Sequence, residues 1–328
     1  MLVMGRKLYY TSCIRSVYIG TMRFVPDHLC MEVLTANMLH YVYLINRFQL
    51  HHKSKEMMEK LKKVSEELGR DYEFVVNETP EQAHKALEKF RDKEYVITAI
   101  GGDGSINHVL NAIVGTGNIL SFIPHGTGND FCRTCMESME NGIHEVDLIR
   151  VNDRYCINVA CFGIDADIAN DDTFIHSRWI PRTMRFNAGV IGHFLRYKRG
   201  RRLRVESNGE VREGNFATVI AANCRYYGSG YYVSPHSSLD DGKMDVLEAG
   251  ALHKLRMARL ILKMKKARHL GSPDLKIYET DRLVVSSDTP FKANIDGEPI
   301  LSDRFELEMV PRAIRLDFNR DLIKRCLD

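Results

Sequence analysis

The sequence predicts a two-part α/β protein: a parallel sheet flanked by helices through about residue 144, followed by an antiparallel β-sandwich. Three observations carry this. Apolar runs of strand length alternate with amphipathic helical stretches from Met38 onward. Two of those runs, Tyr95–Ile100 and Ile119–Ile123, end in glycine-rich loops. After about residue 145, strand-like segments follow one another with short turns and a single helical interruption.

Element by element, Tyr41–Asn46 reads as the first strand and Lys53–Leu68 as a helix with Met57, Met58, Leu61, Val64 and Leu68 on one face, stopped by Gly69. Tyr72–Val76 is the second strand. Thr79-Pro80-Glu81-Gln82 is a capping box with proline at the first helical position, and its helix runs to Phe90. Ser105–Val114 is a third helix with Ile106, Val109, Leu110, Ile113 and Val114 apolar. In the second half the strands are Glu145–Val151, Tyr155–Cys161, Arg202–Glu206, Phe216–Asn223, Met244–Leu247, Leu283–Ser286 and Phe291–Ile295. Asn152-Asp153 and Asn208-Gly209 are hairpin turns between them. Leu252–Leu270 is the interrupting helix, stopped by Gly271 and Pro273. The domains expected are a non-core extension over 1–37, an α/β unit over 38–144 to which 310–328 returns, and a sandwich over 145–309.

Composition bounds the function. With 44% apolar and 27% charged residues the chain has the make-up of an ordinary soluble protein, and 328 residues suit two domains. A net charge of +3 is too small to argue for nucleic acid as a partner. No apolar run reaches transmembrane length. Eight cysteines without framework spacing suit a reducing cytosol. Cys132 and Cys135 lack the second close pair that a zinc ribbon needs. Residues 1–37 show neither helical nor strand periodicity, carry no acid before Asp27, and do not read as a signal peptide.

The chemistry concentrates in two loops, Gly101-Gly102-Asp103-Gly104-Ser105 and Pro124-His125-Gly126-Thr127-Gly128-Asn129-Asp130. Each follows a buried strand, and the first opens a helix. Glycines let backbone N–H groups approach phosphate, and a helix N-terminus adds positive partial charge. Asp103 would repel a bare phosphate, so a divalent metal or an ordered set of donors must face it. Together these point to a nucleoside triphosphate and phosphoryl transfer. Further along, Asp296-Gly297-Glu298 puts two carboxylates either side of a glycine after a strand, pointing the same way if the backbone is extended. Kinase chemistry needs an oriented alcohol, charge on the phosphates and a base. The plainer reading of these acids is an exposed hairpin turn, and the plainer reading of Leu239-Asp240-Asp241-Gly242 is a solvated Asx turn.

The two loops resemble the GGDGT-x-N and P-x-GT-x-NDF signatures of the diacylglycerol kinase catalytic domain family, which includes bacterial lipid kinases and, more distantly, sphingosine and ceramide kinases. Asn158–Ala166 resembles its N-x-A-x-x-G-x-DA segment, Pro235–Asp245 its P-x-A-x-x-DDG-x-x-D loop, and Asn294–Pro299 its DGE motif. The resemblance runs from about Tyr41 to Leu316, with the motifs in order. It implies ATP as phosphoryl donor, contacted by Asn46, Thr79, Gly102, Asp103, Gly104, Ser105, Ile106, Asn107, His108 and Thr127. It implies a structural Mg²⁺ with Asp241 as carboxylate ligand and the backbone carbonyls of Ser238 and Lys243. It makes Glu298 the expected proton acceptor and Asp296 its close partner, although the sequence leaves either as the base. Thr79 would then be a helix cap and a ligand contact at once.

One departure stands out. The family follows its first strand with N-P-x-S-G-K, whereas this chain has Asn46-Arg47-Phe48-Gln49-Leu50-His51. Arg47, His51 or Lys53 is left to replace the missing lysine. The helix at 252–270 carries Arg256, Arg259, Lys263 and Lys266 at helical spacing, and Lys198–Arg204 is also basic. These faces are either solvated or dock on anionic headgroups. The function expected is an ATP-dependent lipid kinase converting diacylglycerol to phosphatidic acid, cytoplasmic and peripheral at the inner membrane face, with homodimerisation left open. The rivals are a soluble-substrate kinase of the NAD kinase or phosphofructokinase type and a non-catalytic lipid- or nucleotide-binding relative.

Overall fold

The structure is a computed structural model that describes residues 39–46, 54–126, 128–163, 166 and 200–327. The expectations for residues 1–37, for Arg47–Lys53, for Thr127 and for Lys198 lie outside them. Residues His40–Asp328 form one compact unit.

Along the chain run β1 (His40–Asn46), α1 (Ser54–Glu67), β2 (Asp71–Asn77), α2 (Pro80–Leu87), β3 (Tyr95–Gly101), α3 (Asp103–Ile113), β4 (Ile119–Pro124) and α4 (Asp130–Ser138). There follow β5 (Gly142–Val151), β6 (Arg154–Cys156), β7 (Val159–Gly163), β8 (Arg201–Ser207), β9 (Glu210–Ala222), β10 (Tyr226–Tyr227), β11 (Tyr231–Tyr232) and β12 (Met244–Gly250). The rest is α5 (Lys254–Met264), β13 (Lys276–Thr280), β14 (Arg282–Ile295), β15 (Glu298–Phe318) and α6 (Arg320–Leu327). The class is mixed α/β.

β1 pairs in parallel with β2 and β3, Tyr43 lying opposite Phe74 and Thr98, and β3 pairs in parallel with β4. The far end of β15 joins this group, Leu316 lying parallel and opposite Leu120. The remaining pairings are antiparallel, and β15 links both groups into one hydrogen-bonded sheet. β1, β3 and β4 are buried nearly throughout, as strands covered on both faces must be. α3 buries Ile106, Val109, Leu110 and Ile113 against them, at the i, i+3, i+4, i+7 spacing of one helix face. The second half packs Phe162, Phe291 and Phe305 edge-to-face or tilted within 5.2–6.4 Å of one another.

Thr79 caps α2, its Oγ1 accepting from the Gln82 N–H at 3.3 Å, while Gln82 Oε1 accepts from the Glu78 N–H. Three expected boundaries move. The strand expected over Tyr155–Cys161 is two strands, broken at Ile157 and Asn158, because those N–H groups go to a carboxylate instead of a ladder. Leu283–Ser286 and Phe291–Ile295 are one strand with an irregularity between them. The helix expected to reach Leu270 ends at Met264. The Lys266 and Arg268 N–H groups both fold back onto Lys263 O, and Ala267 sits at φ +53°, so the chain turns well before Gly271.

Candidate active site

β1, β2, β3 and β4 end together, since Asn46 lies opposite Asn77, and Gly101 opposite Pro124. The glycine loops therefore leave the sheet at one edge, where ligands bind in open α/β sheets. They touch backbone to backbone. A Cβ placed on Gly126 would stand 2.6 Å from Gly102 Cα, and the His125 N–H donates to Gly101 O at 2.7 Å. Any side chain at Gly126 would force the loops apart. Asn129, in the left-handed region at φ +53°, braces the second loop by accepting from Gly126 N–H at 2.9 Å and donating to Gly126 O at 3.0 Å.

Asp103 faces donors of the protein itself. Its Oδ2 accepts from the Asp130 N–H at 3.1 Å and its Oδ1 from the Phe131 N–H at 3.0 Å. Both oxygens cap the start of α4, so an ordered set of protein donors faces Asp103, one of the two arrangements that its place in the loop requires. Asp130 in turn accepts from the Ser229 and Gly230 N–H groups, each at 2.8 Å. Burial, followed by the Asp103 charge, pushes the Asp130 carboxyl up to about 6. Two buried carboxylates thus tie the first loop, the second loop and the β10–β11 hairpin together. The Asp130 donors lie some hundred residues downstream, so the sequence around the second loop carries no local signal of this role.

One side of α3 meets the turn between β14 and β15. Gly104, Asn107 and His108 share that side at i, i+3, i+4 spacing. Asp296 and Gly297, at φ +49° and +96°, form the two-residue turn, with Ile295 opposite Glu298. The two acids do not point the same way, because the backbone at Asp296 is left-handed rather than extended. Asp296 is 4% exposed, and its carboxylate accepts from Asn107 Nδ2 (2.8 Å), Ile157 N (2.7 Å), Asn158 N (2.9 Å), Val159 N (2.9 Å) and Cys156 Sγ (3.1 Å). Burial pushes its carboxyl up against the pull of those donors. Donors of the protein itself thus hold the Asp296 carboxylate on both oxygens.

Glu298 is the opposite case. Its side chain is 36% exposed, Oε1 is 3.3 Å from His108 Nε2, and a methyl on Gly104 would stand 4.0 Å from the same oxygen. His108, helped by Arg154, holds its carboxyl below the usual carboxylate range despite partial burial. It is therefore ionised at neutral pH, beside the N-terminal turn of α3, whose first N–H groups have no partner within the helix. β6 is fixed to α3 by Asn107 Nδ2 and Asn111 Nδ2 donating to Tyr155 O at 3.0 and 2.9 Å, which seats Arg154. The Glu81 carboxyl at the start of α2 is lowered by its own N–H and the Thr79 hydroxyl.

The other expected nucleotide contacts divide. Gly102, Gly104 and Ser105 lie at the start of α3 and His108 one turn further on, with Asn46 at the end of β1 and Thr79 in the loop before α2. Ile106 is 1% exposed in the core and Asn107 is spent on Asp296 and Tyr155, so these two side chains face away from the loops.

The Asp-Asp-Gly turn is a second polar centre. Asp147 accepts from the Gly242 and Arg312 N–H groups at 2.7 Å each, and Asp241 Oδ1 accepts from the Lys243 N–H at 3.0 Å. Ser238 Oγ donates to Asp240 at 2.6 Å. Burial, together with Asp245, Glu279 and Asp147 nearby, pushes the Asp241 carboxyl up. Lys243 Nζ pairs with Glu279 at 2.8 Å, and the remaining carboxylate and backbone carbonyls of the turn are the hard oxygen donors that a divalent cation prefers. Among the described residues no three His, Cys, Asp or Glu side chains converge as a metal site.

Comparison with known proteins gives two adjoining family matches: "Diacylglycerol kinase catalytic domain" over residues 40–159 and "YegS C-terminal NAD kinase beta sandwich-like domain" over 158–318. The chain is 28% identical over 238 residues to a protein of Alcanivorax borkumensis named "Probable lipid kinase YegS-like", covering 67% of this chain and 77% of that one. It is 25% identical over 237 residues to a diacylglycerol kinase of Bacillus subtilis, covering 66% and 75%. A crystal structure of a diacylglycerol kinase from Bacillus anthracis superposes with a TM-score of 0.61 at 15% identity, covering 87% of this chain and 98% of that one, which shows a shared fold.

Proposed function

We propose that this phosphotransferase, which carries a diacylglycerol kinase catalytic domain over residues 40–159 and a YegS C-terminal domain over 158–318, moves the γ-phosphate of ATP to the hydroxyl of diacylglycerol, making phosphatidic acid. One observation carries the reading: Glu298, ionised and open to solvent, stands beside the first turn of α3 while Asp296 is sealed behind it. Glu298 takes the acceptor proton as the lipid oxygen bonds to the γ-phosphorus. The bond from that phosphorus to the β-phosphate bridging oxygen breaks, leaving ADP. The N–H groups of Gly102–Gly104, with Asn46, Ser105, Thr79 and Thr127, receive the nucleotide, and His108 keeps Glu298 ionised and oriented.

In this reading residues 38–144, with 310–328, form the nucleotide unit of parallel strands, and 145–309 form the lipid-substrate unit. Mg²⁺ would be held by Asp241 with the carbonyls of Ser238 and Lys243, where it would offset the crowded carboxylates. The Glu298 side chain and the α3 N-terminus are protein groups that act whether or not that ion is bound. Among the described residues no helix is long and apolar enough to cross a membrane, and the enzyme would meet its lipid peripherally. Incubation with γ-labelled ATP and separate lipid classes in mixed micelles tests the reading. Label should enter phosphatidic acid; label entering only a soluble acceptor would overturn it.

A further inference from the structure

We propose that the outer face of α5 and the turn after it is an interfacial docking surface for an anionic bilayer, in which Leu255 and Leu262 enter the acyl boundary while the surrounding cations engage headgroups; this rests on the lipid-kinase reading above. α5 buries Met257, Leu260 and Met264 and turns the opposite face outward. Leu255 and Leu262 stand on that outer face, seven residues apart and each 66% exposed. Two turns of helix bring residues at this spacing to the same side. Around them Arg256, Arg259, Lys263, Lys265, Lys266 and Arg268 are exposed, and no acidic residue occurs from Lys254 to Leu270. Asp274 beside Arg256, at 3.5 Å, is the nearby counter-charge.

The combination selects the partner. Exposed leucines give a polyanion in water nothing to bind, whereas a bilayer rewards both leucines and cations. A second copy of the same face would bring like charges together. The surface is also joined to the catalytic loops by continuous contacts. Lys265 lies over the Tyr231 ring at 6.0 Å, and the buried His269 Nε2 is 2.7 Å from Val233 O. The hairpin that includes Tyr231 then donates through Ser229 and Gly230 to Asp130.

Sedimentation with phosphatidylcholine vesicles containing a quarter phosphatidylglycerol, without ATP, tests this on the full chain. Leu255→Ser with Leu262→Ser should weaken partition about tenfold per leucine. Arg259→Gln with Lys263→Gln should weaken it about fivefold per cation at low salt and much less at high salt. Both variants should keep wild-type melting and wild-type phosphorylation of a monomerically dissolved short-chain diacylglycerol. Loss of binding in the charge variant alone would mark a general polyanion site and overturn the proposal, as would unchanged binding in both. Vesicle binding that obeys these expectations, with no lipid phosphorylated in any format, would sustain the docking surface and sink the proposed reaction instead.

Discussion

Replacing Asp296 with Asn isolates what the buried carboxylate contributes. Asn tolerates the left-handed backbone at φ +49°, so the turn itself is not strained. The amide oxygen can keep the Oδ1 partners Cys156 Sγ, Asn158 N and Val159 N. The amide nitrogen would then face two other donors, Ile157 N and Asn107 Nδ2, now at 2.7 and 2.8 Å from Oδ2. Each buried donor left without an acceptor costs about 1–3 kcal/mol, so Asp296→Asn should lower unfolding free energy by about 2–6 kcal/mol. The exposed Asp288→Asn, in β14, should stay within about 0.5 kcal/mol of wild type. Urea titration followed by circular dichroism measures both. A loss below about 1 kcal/mol at Asp296 would refute the assignment of its carboxylate as an anchor. Intact stability with abolished turnover would return Asp296 to the chemistry.

Asp130 supplies a pH signature. Its carboxyl rises from 3.8 to about 6 on folding, so the folded state holds the proton more tightly. The associated stability is complete below about pH 4 and is lost as pH rises through 6, a swing of about 3 kcal/mol at 1.4 kcal/mol per unit. Asp130→Asn should flatten the wild-type decline between pH 4 and 7 in chemical denaturation, and a parallel curve would count against it. Replacing His108 with Asn removes the largest cause of the low Glu298 carboxyl, so the NMR titration midpoint of Glu298 should move up, and a fixed midpoint would exclude the contact. If Asp241 holds Mg²⁺, a hundredfold excess of the ion over its Kd stabilises by about 2.7 kcal/mol, or about 4 °C in Tm for a chain of this length, and Asp241→Ala should abolish that increment. An equal increment in the variant would place the ion elsewhere.

What the sequence makes legible is local. Gly101–Ser105 and Pro124–Asp130 follow apolar strands and could be read as loops at one sheet edge because both signals lie within a few residues. Thr79 announces its cap, and Asn208-Gly209 its turn, for the same reason. The direction of Asp296 is not legible. Its donors lie at residue 107 and at 156–159, some 140 to 190 positions away, and its left-handed backbone removes the alternation that an extended strand would give. The role of Asp103 is hidden likewise, since its partners belong to the second loop. The early end of α5 escapes because Ala267 adopts a conformation usually left to glycine, while the obvious stop signal at Gly271 lies downstream.

The separation of Glu298 from Asp296 is tested most directly by the rate of lipid phosphorylation in Glu298→Gln beside wild type, with folding and ATP binding checked in the same samples. Glutamine keeps the size and polarity of the side chain but cannot take the acceptor proton at neutral pH. Turnover should fall about 10²–10⁴-fold while ATP affinity and melting stay near wild type. Wild-type turnover in a folded Glu298→Gln enzyme would contradict the assignment.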